Sequence, residues 1–399
     1  MAALRLGVWS GRVPHVEPAP LAGNFDPDAL ERNRDYRRGV WTMAAVGIPL
    51  VPAIAIAAAA LGGRWRPAVV RAARGRPWRA GLIAGGGLAI VASVATLPLG
   101  AARFAWGRSY GIVTQPLAGW LADAGKSALI EAALLGAVGA VVAVLMARLP
   151  RAWPAAVAAL VAGLAFAMSL LAPVVIEPLF QKTEPLRDPV LAREVLDLAH
   201  RSGVDADRVL VSDASRRTTA ANAYVSGLGH SRRIVLYDTL LRDFPRDQVR
   251  MVVAHELAHV RHRHVLKGTT WGAALALPAC LLLLAAVGWR TGWAAPRRGT
   301  AEGTDLVVRR LAVAAAAAAT IGAVATPLGA WVSRAYEREA DWSALQVTHD
   351  PGAAIRLQQG LVRRSLNVPD PPEAVQVWFG THPTALERIA LAERSEEAP

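Results

Sequence analysis

Long apolar runs alternate with polar blocks along the chain. A helix that crosses a bilayer needs about 20 predominantly apolar residues, and six stretches reach that length. They lie at about 41 to 62, 81 to 102, 127 to 147, 152 to 175, 270 to 289 and 311 to 332. The pattern predicts a predominantly α-helical polytopic membrane protein with about six transmembrane helices.

The polar blocks divide the chain into five regions and hold most of the reactive side chains. We expect an N-terminal tail (1–40), a membrane region of four helices (41–175), a first part of a polar domain (176–266), a membrane hairpin (267–332) and a second part of that domain (333–399). The prolines and charges of the tail do not fit a secretory signal peptide, so the first membrane helix is expected to remain as an anchor.

The first part of the polar domain has mixed secondary-structure patterns. "DPVLAREVLDLAHRSG" has the periodicity of a helix, whereas "RVLVSD", "NAYVSG" and "RRIVLYDTLL" are typical of strands. A further helix is expected at about 245 to 265. This combination predicts a small sheet that is covered by helices.

Composition and charge support the membrane class. The chain of 399 residues is 53% hydrophobic and 19% charged, and its formal net charge of +13 comes mostly from arginines beside the apolar runs, where membrane-flanking charges lie. Basic and aromatic residues do not alternate as in nucleic-acid binding proteins, so the expected partner is the bilayer and not nucleic acid. Glu131 lies inside an apolar run and is either a functional carboxylate or a solvated group at the interface.

The pentapeptide "HELAH", residues 255 to 259, indicates metal-dependent hydrolysis. On a helix, His255 and His259 lie one turn apart on one face, so both imidazoles can bind one tetrahedral zinc ion. Glu256 points about 100° away from His255 and can act as the general base on a water molecule that the ion activates. The apolar residues around the motif favour a buried helix over an exposed histidine-rich one.

The third ligand has several candidates. His262 follows His259 by three residues, but three ligands on one straight helix would strain a tetrahedral site. His349 and His382 lack a second motif element. The segment "SRAYEREADWSA", residues 333 to 344, offers a better donor because Glu337 lies on a helix face with a second carboxylate.

That second carboxylate is Asp341, four residues after Glu337. Glu337 can bind the ion, while Asp341 can accept a hydrogen bond from a ligating imidazole and fix its tautomer. Glu339 is expected to point elsewhere and to be solvated, and His264 is expected to belong to a helix end near the membrane. The alternative is that these carboxylates only form a charged helix end after a membrane span.

Several motifs, taken in order, resemble the type I CAAX prenyl proteases, which are integral-membrane zinc endopeptidases. They are "YGIVTQPLAGWLAD", "EPLFQKTEPLRDPVL", "DASRRTTAANAYVSGLGHSRRIVLYDTLL", "HELAH", "SRAYEREAD" and "THPTALERI". The resemblance covers most of the chain from about residue 25. It implies helices arranged around a water-filled chamber, with a zincin-like α+β metalloprotease domain at one end and one zinc ion as cofactor.

The resemblance also implies roles for individual residues. The zinc ligands would be His255, His259 and Glu337, with Glu256 as general base. His382 would stabilise the oxyanion of the tetrahedral intermediate, and Arg388 would lie close to the site. Asn222, Ala223 and Tyr224 match an edge strand that binds the substrate as an extended segment.

The expected function is therefore that of a membrane-embedded zinc endopeptidase that cleaves a peptide or a membrane-associated protein, including lipid-modified ones, near its C-terminus. The alternatives are a broad quality-control protease for membrane proteins and a non-catalytic zinc-stabilised scaffold. The chain departs from the family pattern by lacking a first membrane segment that many members have and by carrying Val260 in place of an aromatic residue.

The expected location is a bacterial cell membrane. The resemblance places the zinc domain and both termini in the cytoplasm. The six arginines of residues 64 to 79 would then lie outside, which the positive-inside rule disfavours.

Overall fold

The N-terminal half of the protein consists of long helices. The computed structural model describes residues 13–149, 151–171, 175–227, 232–292 and 294–397. Its first five helices are α1 (Glu31–Ala60), α2 (Gly62–Ala73), α3 (Pro77–Ser109), α4 (Leu117–Arg148) and α5 (Trp153–Leu171).

The polar block that follows forms a small sheet with its covering helices. In chain order these elements are β1 (Thr183–Pro185), α6 (Pro189–Arg201), β2 (Arg208–Ser212), β3 (Ala223–Ser226), β4 (Arg233–Tyr237), α7 (Asp238–Asp243) and α8 (Arg246–Arg261). Asp188 begins α6 by accepting hydrogen bonds from the backbone N–H groups of Val190 and Leu191, as expected of an N-cap carboxylate.

The C-terminal part begins with a long hairpin. It consists of α9 (His264–Thr291) and α10 (Ala301–Val324), and is followed by α11 (Thr326–Thr348), α12 (Pro351–Arg364), α13 (Glu373–Phe379) and α14 (Ala385–Glu396). Thr384 and Glu387 form a reciprocal capping box at the start of α14. This cap fixes the end of the loop that contains His382.

Among the described residues, five helices are long and apolar enough to cross a bilayer: α1, α3, α4, α9 and α10. Each overlaps one of the expected segments. The remaining expected segment corresponds to α5, a shorter apolar helix of 19 residues. The last span is displaced from 311–332, because the hydroxyl of Thr300 caps a helix that starts at Ala301 and a new helix begins at Thr326.

Six of these helices form a ring. In order around the ring, α1 packs on α3, α3 on α4, α4 on α5, α5 on α9, α9 on α10, and α10 on α1. At the end away from the sheet, Val307 and Val308 of α10 also pack against α4 and α3. Helix α10 thus contacts two further helices of the ring at that end.

Small residues let two of the ring helices approach closely. A Cβ atom on Gly81 of α3 would overlap the carbonyl oxygen of Gly139 on α4, and a Cβ atom on Gly139 would overlap that of Gly81. Glycine at such crossings is typical of membrane helices, where backbone contact replaces the hydrophobic effect as the source of packing energy.

The sheet has the strand order β1-β2-β4-β3. The central pair β2 and β4 is parallel, while β1 and β3 are antiparallel to their neighbours. Strands β2 and β3 lie where the sequence predicts them, and β1 is not among the predicted strands. The strand predicted for "RRIVLYDTLL" is only half right, because β4 ends at Tyr237 and Asp238 begins α7. Within the described residues β3 pairs on one side only, so its outer edge is open.

The main hydrophobic core joins the sheet to both polar blocks. Buried residues from α6, β2, β4, α8, α11, α12 and α14 form one cluster, which includes Ile234, Leu236, Leu257 and Leu391. Arg37 of α1 donates hydrogen bonds to the carbonyl oxygens of Ser365 and Leu366. The two polar blocks therefore share one core, and hydrogen bonds join them to the first membrane helix.

Candidate metal centre

Helix α8 presents the HELAH motif to the interior of the polar domain. Its residues Val253, Ala254, Leu257 and Ala258 are buried in the core, which fixes the rotation of the helix. His255 is buried and His259 is partly buried. The same rotation brings both imidazoles opposite α11.

Three donor atoms converge between α8 and α11. The Nε2 atom of His255 lies 3.1 Å from Nε2 of His259 and 3.1 Å from Oε2 of Glu337, and Nε2 of His259 lies 3.5 Å from Oε1 of Glu337. Ligand atoms at the corners of a tetrahedron around a zinc ion, at 2.0 to 2.2 Å from it, lie about 3.4 Å apart. The three side chains therefore fit a small tetrahedral ion and leave its fourth position open.

Two of the three donors are in the protonation state that binds a cation. Burial, followed by the nearby His255, lowers the pKa of His259 to about 3, so this imidazole is neutral. Burial opposes ionisation of Glu337, but hydrogen bonds from His255 and His382 hold the pKa of its carboxyl well below the usual range. Neutral imidazole and ionised carboxylate are the forms that bind metals. Burial opposes protonation of His255, but Asp341 and Glu337 outweigh it and raise its pKa to about 10, so a bound metal would replace the proton on Nε2.

Asp341 orients His255 from behind. The Nδ1 atom of His255 lies 2.9 Å from Oδ1 of Asp341, and Arg388 of α14 donates to the same oxygen at 2.5 Å. Burial opposes ionisation of Asp341, but Arg388 and His255 outweigh it and lower its pKa. An acceptor at Nδ1 directs the Nε2 lone pair towards the ion, and Arg388 acts on the site through Asp341.

Glu256 lies in the same cleft. The cleft has a volume of about 460 Å³, and its lining includes Asn222, Glu256, His382 and Arg388. Burial raises the pKa of Glu256 to about 7, although the neighbouring His255 opposes the shift. A carboxyl group that titrates near neutral pH can both take up and return a proton.

His382 reaches the donor group from the loop between α13 and α14. Its Nδ1 atom lies 2.7 Å from Oε2 of Glu337, and its side chain is 57% exposed. Arg334 of α11 holds this loop by donating to the carbonyl oxygens of Gln376 and Gly380, and Gln376 donates to the carbonyl oxygen of His382. The sequence pointed to Glu337 and Asp341 on this helix but not to Arg334, although Arg334 precedes Glu337 by three residues.

The expected substrate strand lies at the sheet edge beside the cleft. Asn222 lines the cleft and immediately precedes β3. Ala223 is buried, and the ring of Tyr224 makes an edge contact with Tyr237 at 6.4 Å. The side chains of Ala223 and Tyr224 thus point to the two faces of the sheet, and only their backbone groups are available at its edge.

The expectation that Glu339 is solvated is wrong. Glu339 is 1% exposed and not solvated. Its two oxygens lie 3.1 Å from Nδ1 of His262 and 3.1 Å from Nε2 of His264. The reason is the turn at Arg263, whose left-handed backbone (φ 56°) ends α8 and begins α9, so that both histidines return towards α11.

His264 also contacts a member of the donor group. Its Nδ1 atom lies 2.8 Å from Nδ1 of His259, and its ring stacks on Tyr336 at 4.6 Å. His262 donates to Glu339 and lies 2.7 Å from the hydroxyl of Ser343, so it does not join the three donors. His349 caps the C-terminal end of α11.

Three convergent metal-binding donors, in a polar domain that adjoins a ring of membrane-length helices, define a membrane-embedded metallopeptidase. The family model "Peptidase family M48" matches residues 185–396, and the model "CAAX prenyl protease N-terminal, five membrane helices" matches residues 12–182. The chain belongs to Peptidase family M48. The expected fold, the enzyme class and the resemblance to CAAX prenyl proteases are thereby confirmed, and the scaffold alternative is not supported.

Individual relatives agree with this assignment. The uncharacterized metalloprotease YhfN of Bacillus subtilis (strain 168) is 30% identical over 313 residues, which are 78% of this chain and 73% of that protein. CAAX prenyl protease 1 of Saccharomyces cerevisiae is 41% identical over 95 residues, but these are only 24% of this chain and 21% of the yeast protein.

A solved structure shares the fold. The crystal structure of S. mikatae Ste24p superposes with a TM-score of 0.80 and covers 96% of this chain and 93% of that one, at 20% identity. At this identity the likeness concerns the arrangement of the helices and the sheet.

Proposed function

We propose that this protein is a zinc endopeptidase that cleaves a membrane-associated polypeptide near its C-terminus. The observation that carries the proposal is the convergence of His255, His259 and Glu337 at 3.1 to 3.5 Å beside the buried carboxyl of Glu256. Zinc is the proposed metal, because two imidazoles and one carboxylate with an open fourth position are typical of hydrolytic zinc sites. In such sites, zinc acts as a Lewis acid on water and on the scissile carbonyl.

The residues around the donors have separate roles in this proposal. Glu256 takes the proton of the attacking water and returns it to the leaving amine. His382 donates a hydrogen bond to the oxyanion that develops on the scissile carbonyl. Asp341, held by Arg388, keeps the Nδ1 proton of His255 in place. Glu256 and His382 both line the cleft, which supports this division.

The substrate would lie extended along β3. Asn222, Ala223 and Tyr224 would pair with it through backbone groups, which gives affinity with little demand on sequence. Residues of the first membrane helix, Arg37 and Trp41, line the same cleft as Glu256. The cleft is thus continuous with the membrane region, which supports a substrate that is itself held at the bilayer.

The substrate class is tested with two peptides of one sequence that ends in a CAAX motif, one prenylated and one unmodified. We expect zinc-dependent cleavage of the prenylated peptide by the wild type, and loss of cleavage with retained zinc in Glu256→Gln. Glu393→Gln is the matched control, because Glu393 is exposed at the C-terminal helix. Equal cleavage of both peptides would favour a broad quality-control protease, and undiminished cleavage by Glu256→Gln would overturn the mechanism.

We further propose that the protein lies in a bacterial cell membrane, with its catalytic domain on the cytoplasmic side. The family resemblance supports this orientation, whereas the arginine-rich connection between α1 and α3 opposes it. Single cysteines introduced at Glu393 and at Arg297 into a Cys280→Ser background distinguish the two orientations with an impermeant maleimide on intact cells. We expect labelling only at position 297, and labelling only at position 393 would reverse the topology.

A further inference from the structure

A second cavity lies in the membrane region, at the end far from the catalytic cleft. It is a groove of about 820 Å³ between the C-terminal ends of α1 and α9, with α10 as its floor. Its walls are mostly apolar and include Ile56, Ala59, Leu282, Ala286, Val313, Ala316, Ala317 and Ile321. It shares no lining residue with the catalytic cleft.

The groove faces away from the ring. On α10, Arg309, Val313, Ala316 and Thr320 line it, and this spacing of four, three and four residues forms one stripe of a helix. Val307 and Leu311, which pack against Ala143 and Ala147 of α4, lie on the opposite side of α10. The opening is therefore towards the surrounding lipid and not towards the chamber.

The groove has the length of a lipid chain in one leaflet. From Arg309 to Ile321 the helix advances by about 18 Å, at 1.5 Å per residue. Half of the hydrocarbon core of a bilayer is about 15 Å. An acyl chain that starts at the membrane surface would thus run along most of the groove.

Cationic side chains stand at the outer end of the groove. Arg66 is paired with Asp305 at 3.4 Å. The side chains of Arg290 and Arg309 are exposed, and Arg309 donates to the carbonyl oxygen of Arg290 at 2.9 Å. In the part of the chain that the structure describes, no carboxylate lies within 4.0 Å of either of these two guanidinium groups, so their charges are available to an anion.

We propose that this groove binds an anionic phospholipid of the adjacent leaflet. The phosphate lies between Arg290 and Arg309, and one acyl chain lies along Val313, Ala317 and Ile321. An apolar wall alone would accept any lipid, and arginines alone would accept any small anion. Their combination over the length of one leaflet favours a molecule with both features, because a basic pocket between membrane helices attracts an anionic head group.

The binding is measured by native mass spectrometry of the purified full-length protein in detergent, titrated with phosphatidylglycerol or with phosphatidylcholine of the same chains. We expect tighter binding of phosphatidylglycerol. Arg290→Gln and Arg309→Gln should each weaken it about fivefold, and the double variant about 25-fold. Arg297→Gln is the control, because Arg297 lies at the same membrane end, is 80% exposed and does not line the groove.

A second experiment tests whether an acyl chain occupies the groove. Ala317→Trp fills the groove and leaves both arginines in place, so it should abolish retention of phosphatidylglycerol, and glycerol phosphate should not compete with the lipid. If Ala317→Trp fails to give a monodisperse protein, the binding of phosphatidylglycerol by the Arg290→Gln and Arg309→Gln variants tests the proposal. Equal binding of both lipids, an equal loss in Arg297→Gln, or competition by glycerol phosphate would each overturn the proposal.

Discussion

The buried pair of His264 and Glu339 provides a sharp test of how the donor group is held. Because the carboxylate of Glu339 can only accept, the Nε2 atom of His264 carries its proton and Nδ1 has a lone pair. That lone pair accepts the Nδ1 proton of His259 at 2.8 Å, which directs the Nε2 lone pair of His259 towards the ion. His264→Phe keeps a ring against Tyr336 but removes this acceptor.

Two independent estimates agree on how much His264→Phe should weaken zinc binding. A buried N–H group that loses its acceptor costs about 1 to 3 kcal/mol. Removal of the hydrogen-bond partner of a metal-ligating histidine typically lowers metal affinity by about 10- to 100-fold, which corresponds to roughly 1.4 to 2.7 kcal/mol. We therefore expect His264→Phe to weaken zinc binding by about 10- to 100-fold.

The assay is competition for zinc between the purified protein and a chromophoric chelator at neutral pH. His262→Phe is the matched control, because it removes a second partner of Glu339 but leaves the contact between His259 and His264. An affinity of His264→Phe within twofold of the wild type, or an equal loss in both variants, would refute the inference that His264 sets the tautomer of His259.

Three further predictions concern catalysis, acid stability and the membrane ring. His382→Ala should lower kcat by about 100- to 1,000-fold with zinc content unchanged, measured by peptide cleavage and metal analysis, and a change in KM alone would contradict an oxyanion role. The hydrogen bond from Arg242 lowers the pKa of Asp243, so its contribution to stability is present above pH 4 to 5 and disappears as the pH falls through the lowered pKa. Asp243→Asn should therefore lower Tm at pH 7 and leave it nearly unchanged at the acid end, and equal losses at both pH values would disprove the linkage. Gly81→Leu should lower Tm by displacing α3 from α4, whereas Gly87→Leu, where a Cβ meets nothing within 4 Å, should not, and equal Tm values would count against the glycine contact.

Local patterns predicted much of the site. Spacing of four residues along a helix brings together His255 with His259 and Glu337 with Asp341, and this spacing is visible in the sequence. The apolar runs likewise located the membrane helices. The start of α10 was missed because Glu302, Asp305, Arg309 and Arg310 interrupt the run, although the helix extends through them.

Tertiary contacts explain what the sequence did not reveal. Glu339 lies two residues from Glu337 on α11, a spacing that by itself indicates a different helix face. The reversal at Arg263, which returns His264 towards α11, gives Glu339 its buried partner. The role of Arg334 in holding the His382 loop likewise depends on where α13 ends, which no local pattern indicates.

The central claim is that one catalytic zinc ion is held between α8 and α11. Zinc stoichiometry and peptide cleavage, measured on the same preparation, test it directly in the wild type and in Glu337→Ala. We predict one zinc per wild-type chain and a loss of both zinc and cleavage in the variant. A Glu337→Ala protein that keeps stoichiometric zinc and wild-type cleavage would contradict the claim.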